Sequence, residues 1–377
     1  MKVLLFANTD WFLYNFRLAL ALALRDAGYE VVLVSPDGPY GERIRDSGLR
    51  WIVAPMERRS LNPVKELRLF LWLRKLLKDE RFDVIHSFTL KCVVYGSLAA
   101  KIAGTKGRIS GIDGLGYVFS SSDIKARVLR PLVWALMRFA LKGRDMRLIL
   151  LNRDDVKIFR ESGFIAESQI SLIPGAGVNC TRFSERAVSV IGTPMRVLLA
   201  ARLLWDKGVN EFVAAARILK SEGRAVSFLI AGSPDVGNPA AVPEGVVKSW
   251  VEEGVIQWLG HVDNMAALLS SVDVVALPSY REGLPTSLIE AGACGIPLVT
   301  TDAPGCRDVV THEVDGLLVP VGDSMALARA IARLQDTPVL AERLGAAAKL
   351  KVRQQFDEKI IIEKTLKVYE DFRVKEI

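Results

Sequence analysis

The sequence predicts an α/β protein built from two doubly wound domains in tandem. Three observations carry that prediction. The chain has 377 residues, more than one ordinary hydrophobic core accommodates. Short β-branched runs alternate with amphipathic stretches, the pattern of parallel strands covered by helices on both faces. The alternation pauses once, near Pro174, and then starts again.

In the first half, "KVLLFAN" reads as a buried strand and "NFRLALALALRDAGY" as a helix. Next come "EVVLVSP", "GERIRDSG", "RWIVAP", a long basic helix, "DVIHSF", another helix and "RISGID". The segment "IPGAGVNCTRFSERAVSVIGTP" is rich in turn residues and lacks clear periodicity, which marks an interdomain linker. Beyond it "MRVLLAA", "SFLIAGS", "VIQWLG", "DVVALPS", "PLVTTD" and "GLLVP" read as strands and "VNEFVAAARILKSEG" as a helix. The predicted division is an N-terminal domain over 1–180 and a C-terminal domain over 181–355. A last helix over 356–377 is expected to pack back on the first domain.

Composition excludes several classes. Half of the residues are hydrophobic and a quarter charged, as in globular proteins. Cys92, Cys180, Cys294 and Cys306 form no Cys-x-x-Cys pair and only three histidines accompany them, so a zinc site or disulfide framework is not expected. Small core residues in a reducing cytoplasm fit them best. The start "MKVLLFANTDWF" is broken by Asp10 and does not read as a signal peptide. No stretch approaches the roughly 18 apolar residues of a spanning helix. Residues 1–180 carry 28 Lys+Arg against 18 Asp+Glu, whereas the remainder carries 22 against 25. The first half therefore faces something anionic. Nucleic acid is not the expected partner, because no recognition motif or stacking platform accompanies the charge.

The segment "YREGLPTSLIEAGACG" holds Glu282 on a loop and Glu290 inside a short apolar helix. Pro285 suits the first turn of that helix. Free N–H groups at a helix start favour a phosphate. Glu290, about one turn deeper, reaches ribose hydroxyls, and Glu282 accepts bonds from a second set. By themselves, two such glutamates are also compatible with plain solvated positions. A second signal joins them in "ARLLWDKG", where Arg202 and Lys207 follow a strand end and lead into a helix. Two cations there neutralise a diphosphate leaving group; the alternative is an exposed basic turn.

Arg202…Lys207 followed by Glu282-(seven residues)-Glu290 resembles the retaining glycosyltransferases of family 4, which have the GT-B fold of two Rossmann-like domains facing across a cleft. The resemblance extends over essentially the whole chain, with "LNRDDVKIF", "IPGAGVN" and "IAGSPD" in the expected places. It implies that Arg202 and Lys207 hold a diphosphate, that Glu290 binds ribose and that Glu282 contacts the transferred sugar. It further implies backbone contacts at Gly283 and Leu284, and a base near Gly232 and His261, although His261 also fits a plain turn residue. Retention of anomeric configuration is implied too. With no Asp-x-Asp pair placed at a strand end, metal independence is expected. The first turn, "NTDWFLYNFR", departs from the Gly-rich turn of many relatives. Where many have a histidine facing the donor sugar, this chain has Asp113. Asp113 fits two roles, accepting a sugar hydroxyl or assisting the acceptor's proton on one side, capping a Gly-rich turn on the other. Asp10 is a second candidate.

"GIDGLGYVF" and "HSFTLKCVVYGSLAAKIAG" resemble a bacterial subgroup that builds O-antigen, capsule or N-glycan precursors. It uses a UDP-activated N-acetylated hexosamine to extend a sugar on undecaprenyl diphosphate. The basic helices near 64–78 and 125–142 either lie in a membrane interface or simply pack on a sheet. In the first helix Leu67, Phe70, Leu71, Leu73 and Leu77 can share an apolar side. With a lipid-linked acceptor they point to peripheral attachment at the inner leaflet of the cell membrane. Competing readings are a soluble transferase on a small metabolite, an epimerase of the same fold, and a non-catalytic nucleotide-sugar-binding scaffold.

Overall fold

The computed structural model describes the chain except residues 59, 61, 115–123, 184–191, 236 and 374–377, and gives only the helical backbone for 124–126, 128 and 129. Two compact units emerge: Met1–Ala176 with the residues from Ile361 onward, and Gly177–Ile360. The first division thus falls inside the turn-rich segment, whose residues 184–191 lie outside the described set.

The first unit is built on seven parallel strands: β1 (Lys2–Phe6), β2 (Glu30–Ser35), β3 (Arg50–Val53), β4 (Val84–Phe88), β5 (Gly107–Ile112), β6 (Met146–Leu150) and β7 (Ile170–Leu172). Their order is β3-β2-β1-β4-β5-β6-β7, so the chain reverses direction across the sheet between β1 and β4. Strands β1, β4 and β5 are buried along nearly their whole length, the polar His86, Ser87, Arg108 and Ser110 included, as a sheet covered on both faces requires. The helix Pro63–Asp79 sets Leu69, Leu73 and Leu77 against this core. Leu67 and Leu71 stay about half exposed or more, at 57% and 49%. The predicted apolar side is therefore corrected. The i, i+4, i+8 stripe faces the sheet, and Leu67 and Leu71, displaced by more than a third of a turn, face outward with Val64.

The helix Glu358–Arg373 ends on the first unit. Tyr369 Oη lies 2.7 Å from Nδ1 of His86 in β4. Arg147 pairs with Asp371 at 2.6 Å. Phe372 lies where any side chain at position 107 would go, which explains a glycine at the start of β5.

The second unit has six parallel strands: β8 (Met195–Ala200), β9 (Val226–Ala231), β10 (Gln257–Gly260), β11 (Val274–Leu277), β12 (Leu298–Thr301) and β13 (Leu317–Val319). The order is β10-β9-β8-β11-β12-β13, and here the reversal lies between β8 and β11. Each unit is a doubly wound sheet with one switch point, and ligands of such sheets bind beyond the strands' carboxyl ends at that point.

Candidate active site

The second unit gathers most of the predicted residues at its switch point. After β8 the chain passes Arg202 and a short 3-10 turn, Trp205–Lys207, before the helix Val209–Ser221. After β11 it runs through Pro278–Pro285 into the helix Thr286–Ala293. Pro285 is the residue that caps this helix, one position before its first turn. The two loops are fastened by main-chain and hydroxyl bonds: Tyr280 N donates to Asp206 O at 2.9 Å, and Ser279 Oγ to the same oxygen at 3.0 Å. Gly208 has φ +72°, and a Cβ there would sit 2.0 Å from Pro278 O, so only glycine lets the loops approach this closely.

This fastening brings Lys207 Nζ to 2.6 Å from both Oε1 and Oε2 of Glu282. Both side chains are largely buried, at 15% and 10% exposure. Glu282 N donates to Pro304 O at 3.0 Å, which ties the loop after β12 to the same place. Gly283 and Leu284 follow directly. Arg202 is directed elsewhere: it pairs with Asp235 at 2.8 Å on the loop after β9 and remains 55% exposed. Gly232, on that loop, packs against the chain just before Arg202, since a Cβ on it would come within 1.9 Å of Ala201 O. The two predicted cations thus sit in the same region, each already holding a carboxylate.

Glu290 lies within the helix Thr286–Ala293. Burial pushes its carboxyl up to about 7, opposed by the charge of Arg182. His261 is exposed beyond β10 and lies 3.2 Å from Asp263. Among the described residues no three His, Cys, Asp or Glu side chains cluster in a way that would hold a metal ion.

Asp113 belongs to the first unit, at the end of β5, and pairs with Arg17 at 2.8 Å. The Gly-rich turn, which capping by Asp113 would involve as the alternative to a sugar or proton role, lies outside the described residues from 115 onward. Asp10 is committed to the backbone: its two oxygens accept from Trp11 N at 2.8 Å and Tyr40 N at 2.6 Å, tying the loops after β1 and β2. It therefore ties the two loops together. Asp235, Arg182 and Arg17 have no sequence signal of their own, because their partners lie 33 to 108 positions away in the chain.

On the first unit's surface the helix Pro63–Asp79 exposes Val64, Leu67 and Leu71 beside Arg68, Arg74, Lys75 and Lys78. The helix Ile124–Leu141 exposes Leu132, Leu136 and Phe139. Both pack against the helix Leu90–Ala103, whose Lys101 lies 4.8 Å from the Phe139 ring centroid. No helix among the described residues is long and apolar enough to cross a membrane.

Comparison with known proteins completes the picture. A family model described as "Glycosyl transferases group 1" matches residues 194–337, and one described as "Glycosyl transferase 4-like" matches residues 2–151. The chain is 31% identical, over 98% of both sequences, to the N,N'-diacetylbacillosaminyl-diphospho-undecaprenol alpha-1,3-N-acetylgalactosaminyltransferase of Campylobacter jejuni. It is 25% identical, over 82% of itself and 80% of the relative, to the UDP-Gal:alpha-D-GlcNAc-diphosphoundecaprenol alpha-1,3-galactosyltransferase of Escherichia coli. Among solved structures, Anabaena Alr3699/HepE in complex with UDP-glucose superimposes with a TM-score of 0.81 at 18% identity, covering 98% of this chain and 100% of that one. WaaG, a glycosyltransferase involved in lipopolysaccharide biosynthesis, gives 0.73 at 16% identity over 97% and 98%. These likenesses identify the GT-B fold.

Proposed function

We propose, starting from the fact that this chain belongs to the group 1, glycosyl transferase 4-like family of glycosyltransferases, that it moves a hexose or N-acetylated hexosamine from a UDP-sugar to a saccharide carried on a polyprenyl diphosphate. The observation that carries this reading is the full-length likeness to an N-acetylgalactosaminyltransferase whose acceptor is a diphospho-undecaprenol-linked sugar. A place in the assembly of surface polysaccharide or glycan precursors follows from that acceptor class.

In this reading the donor's diphosphate displaces Glu282 from Lys207. The ammonium then meets the charge that grows on the leaving oxygens as the sugar–diphosphate bond breaks. The released Glu282 accepts a hydroxyl of the transferred sugar. Arg202 supplies a second cation by exchanging Asp235 for phosphate oxygen. The open N–H groups of the helix Thr286–Ala293 add a fixed positive field, and Glu290 within it takes the ribose hydroxyls. Gly283 and Leu284 hold the phosphates through their backbone. Fixed cations and a helix start make a metal unnecessary. Attack on the same face as the departing diphosphate retains the anomeric configuration.

The acceptor's lipid places the reaction at a membrane surface, and the outward leucines with their flanking cations on the first unit support peripheral attachment there. The cytoplasmic leaflet, where UDP-sugars are made, is the proposed face. The experiment is a panel of UDP-sugars offered with defined polyprenyl-diphosphate-linked saccharides, the product's linkage and anomeric configuration being read by NMR. Transfer to one acceptor class with retention supports the reading. Transfer only to water-soluble acceptors, or interconversion of the UDP-sugar without transfer, replaces it.

A further inference from the structure

The loop that carries Glu282 has an anchor that the donor chemistry above does not use. Tyr280, two residues before Glu282, reaches from that loop to the helix Val209–Ser221. Its main chain donates to Asp206 O, the same oxygen that accepts from Ser279 Oγ. Two bonds that converge on one oxygen leave a pivot on the β8 side of the loop. The phenol of Tyr280 supplies a second point on that side, since its hydroxyl donates to Glu211 Oε1 at 2.9 Å. One residue thus grips both the turn that carries Lys207 and the helix that follows it.

Glu211 is costly as a partner. It stands in the first turn of its helix, yet it is only 8% exposed, and Val209, Phe212 and Val213 around it are fully buried. Its second oxygen, Oε2, is buried without a hydrogen-bond partner. A carboxylate there gives up water and gains one side-chain bond. The helix start offsets part of that cost. An apolar side chain of similar size would pack at 211 without the remainder, so stability does not account for a glutamate. Holding a phenol does, because bonds to a carboxylate are among the stronger ones. The Tyr280 ring is 44% exposed, so packing alone does not fix it. Burial, with the Glu211 carboxylate adding to it, holds the phenol above its usual range, which keeps it a donor.

We propose that Tyr280 and Glu211 are positioning residues whose bond latches the Glu282 loop to the helix after Lys207 and so sets the place of Glu282 against Lys207. The inference deepens the donor site and rests on the proposed sugar transfer only for its kinetic consequence.

Hydrogen exchange read by mass spectrometry on the full chain tests the latch with no substrate present. The amides of Tyr280 and Glu282 are both hydrogen-bonded to neighbouring loops. Peptides covering 278–285 should exchange about tenfold faster in Tyr280→Phe and Glu211→Leu than in the wild type. Glu211→Gln keeps an acceptor oxygen and should stay within about threefold of the wild type. Peptides covering β8 should not change. Unfolding midpoints identify any variant that fails to fold, and Tyr280→Phe then carries the comparison. Unchanged exchange over 278–285 in Tyr280→Phe overturns the latch. So does an effect in Glu211→Gln as large as that in Glu211→Leu.

Sugar transfer reads the consequence. Tyr280→Phe and Glu211→Leu should each lower kcat about tenfold and leave KM for the acceptor unchanged, because the latch acts through Glu282. Glu211→Gln should recover most of the loss. A normal kcat in Tyr280→Phe despite faster exchange overturns the positioning role. Absence of transfer by the wild type from every UDP-sugar overturns the proposed function instead, and exchange still decides the latch, so the two readings fail separately.

Discussion

Lys207 holds both carboxylate oxygens of Glu282 at 2.6 Å, and the two residues leave neighbouring strands, β8 and β11, on either side of the second unit's switch point. The ammonium and the carboxylate are thus held as a mutual pair. Because the pair is largely buried, removing one partner leaves a charge that water cannot fully solvate. Lys207→Met should cost about 3 kcal/mol of stability, and Lys207→Met combined with Glu282→Gln should regain most of it. Urea unfolding of the two singles and the double measures the coupling. Additive losses would show that the two side chains do not depend on each other.

Glu290 ties stability to pH in a defined direction. Burial raises its carboxyl to about 7 from an ordinary 4.5. Below 4.5 both folded and unfolded chains hold the proton, so the full stability is present. Between 4.5 and 7 the folded chain keeps a proton that the unfolded chain releases, so stability falls as pH rises and levels off above 7. The shift corresponds to about 3 kcal/mol. Glu290→Gln should therefore be more stable than wild type by about that amount at pH 8 and equal to it at pH 4, as seen in unfolding midpoints. A Gln variant that is destabilised at pH 8 would contradict the assignment.

Gly305 sustains the loop that carries Glu282. Its φ is +79°, and a Cβ would lie 2.5 Å from Glu282 O and 2.8 Å from Gly283 O. Gly305→Ala should cost about 2 kcal/mol or more and lower kcat/KM for the donor, because the carboxylate and its neighbouring backbone must move. Gly245→Ala, inside the helix Glu244–Glu252 with nothing within 4 Å of the new carbon, should leave kcat/KM unchanged and cost no stability.

The proposed membrane attachment rests on the outward face of Pro63–Asp79. Arg68, Arg74, Lys75 and Lys78 are all exposed, and each cation near an anionic leaflet contributes roughly 1 kcal/mol. Replacing Arg74 and Lys75 by glutamate should weaken binding to vesicles containing anionic lipid at least about 30-fold. Flotation with anionic and with neutral vesicles, at low and high salt, measures this. Equal flotation of variant and wild type on anionic vesicles would place the contact elsewhere.

Much of this architecture was legible from periodicity. Strands β1–β5 and β8–β13 read as short strand-forming runs bounded by turn residues, which need no distant information, although β3 and β10 are only partly buried; β6, "MRLIL", has the same signal but is missing from the sequence reading. The three residues of β7, "ISL", carry no such signal. Leu67 and Leu71 were misplaced because several apolar faces fit so leucine-rich a helix, and only the sheet chooses between them. The acid pair and the cation pair were legible as types at a spacing. Their mutual contacts were not, since Lys207 meets Glu282 across 75 residues of chain. Arg17 reads as one more basic residue on a helix. Its burial depends on a π-helical turn and on Asp113, 96 positions away.

The most direct test of the account is sugar transfer itself, measured from the donor panel to polyprenyl-diphosphate-linked saccharide with wild type, Lys207→Ala and Glu290→Ala. The account predicts retained-configuration product from the wild type and a loss of roughly a hundredfold or more in each variant, while circular dichroism and unfolding still report a folded chain. Near-normal transfer by both variants would contradict it.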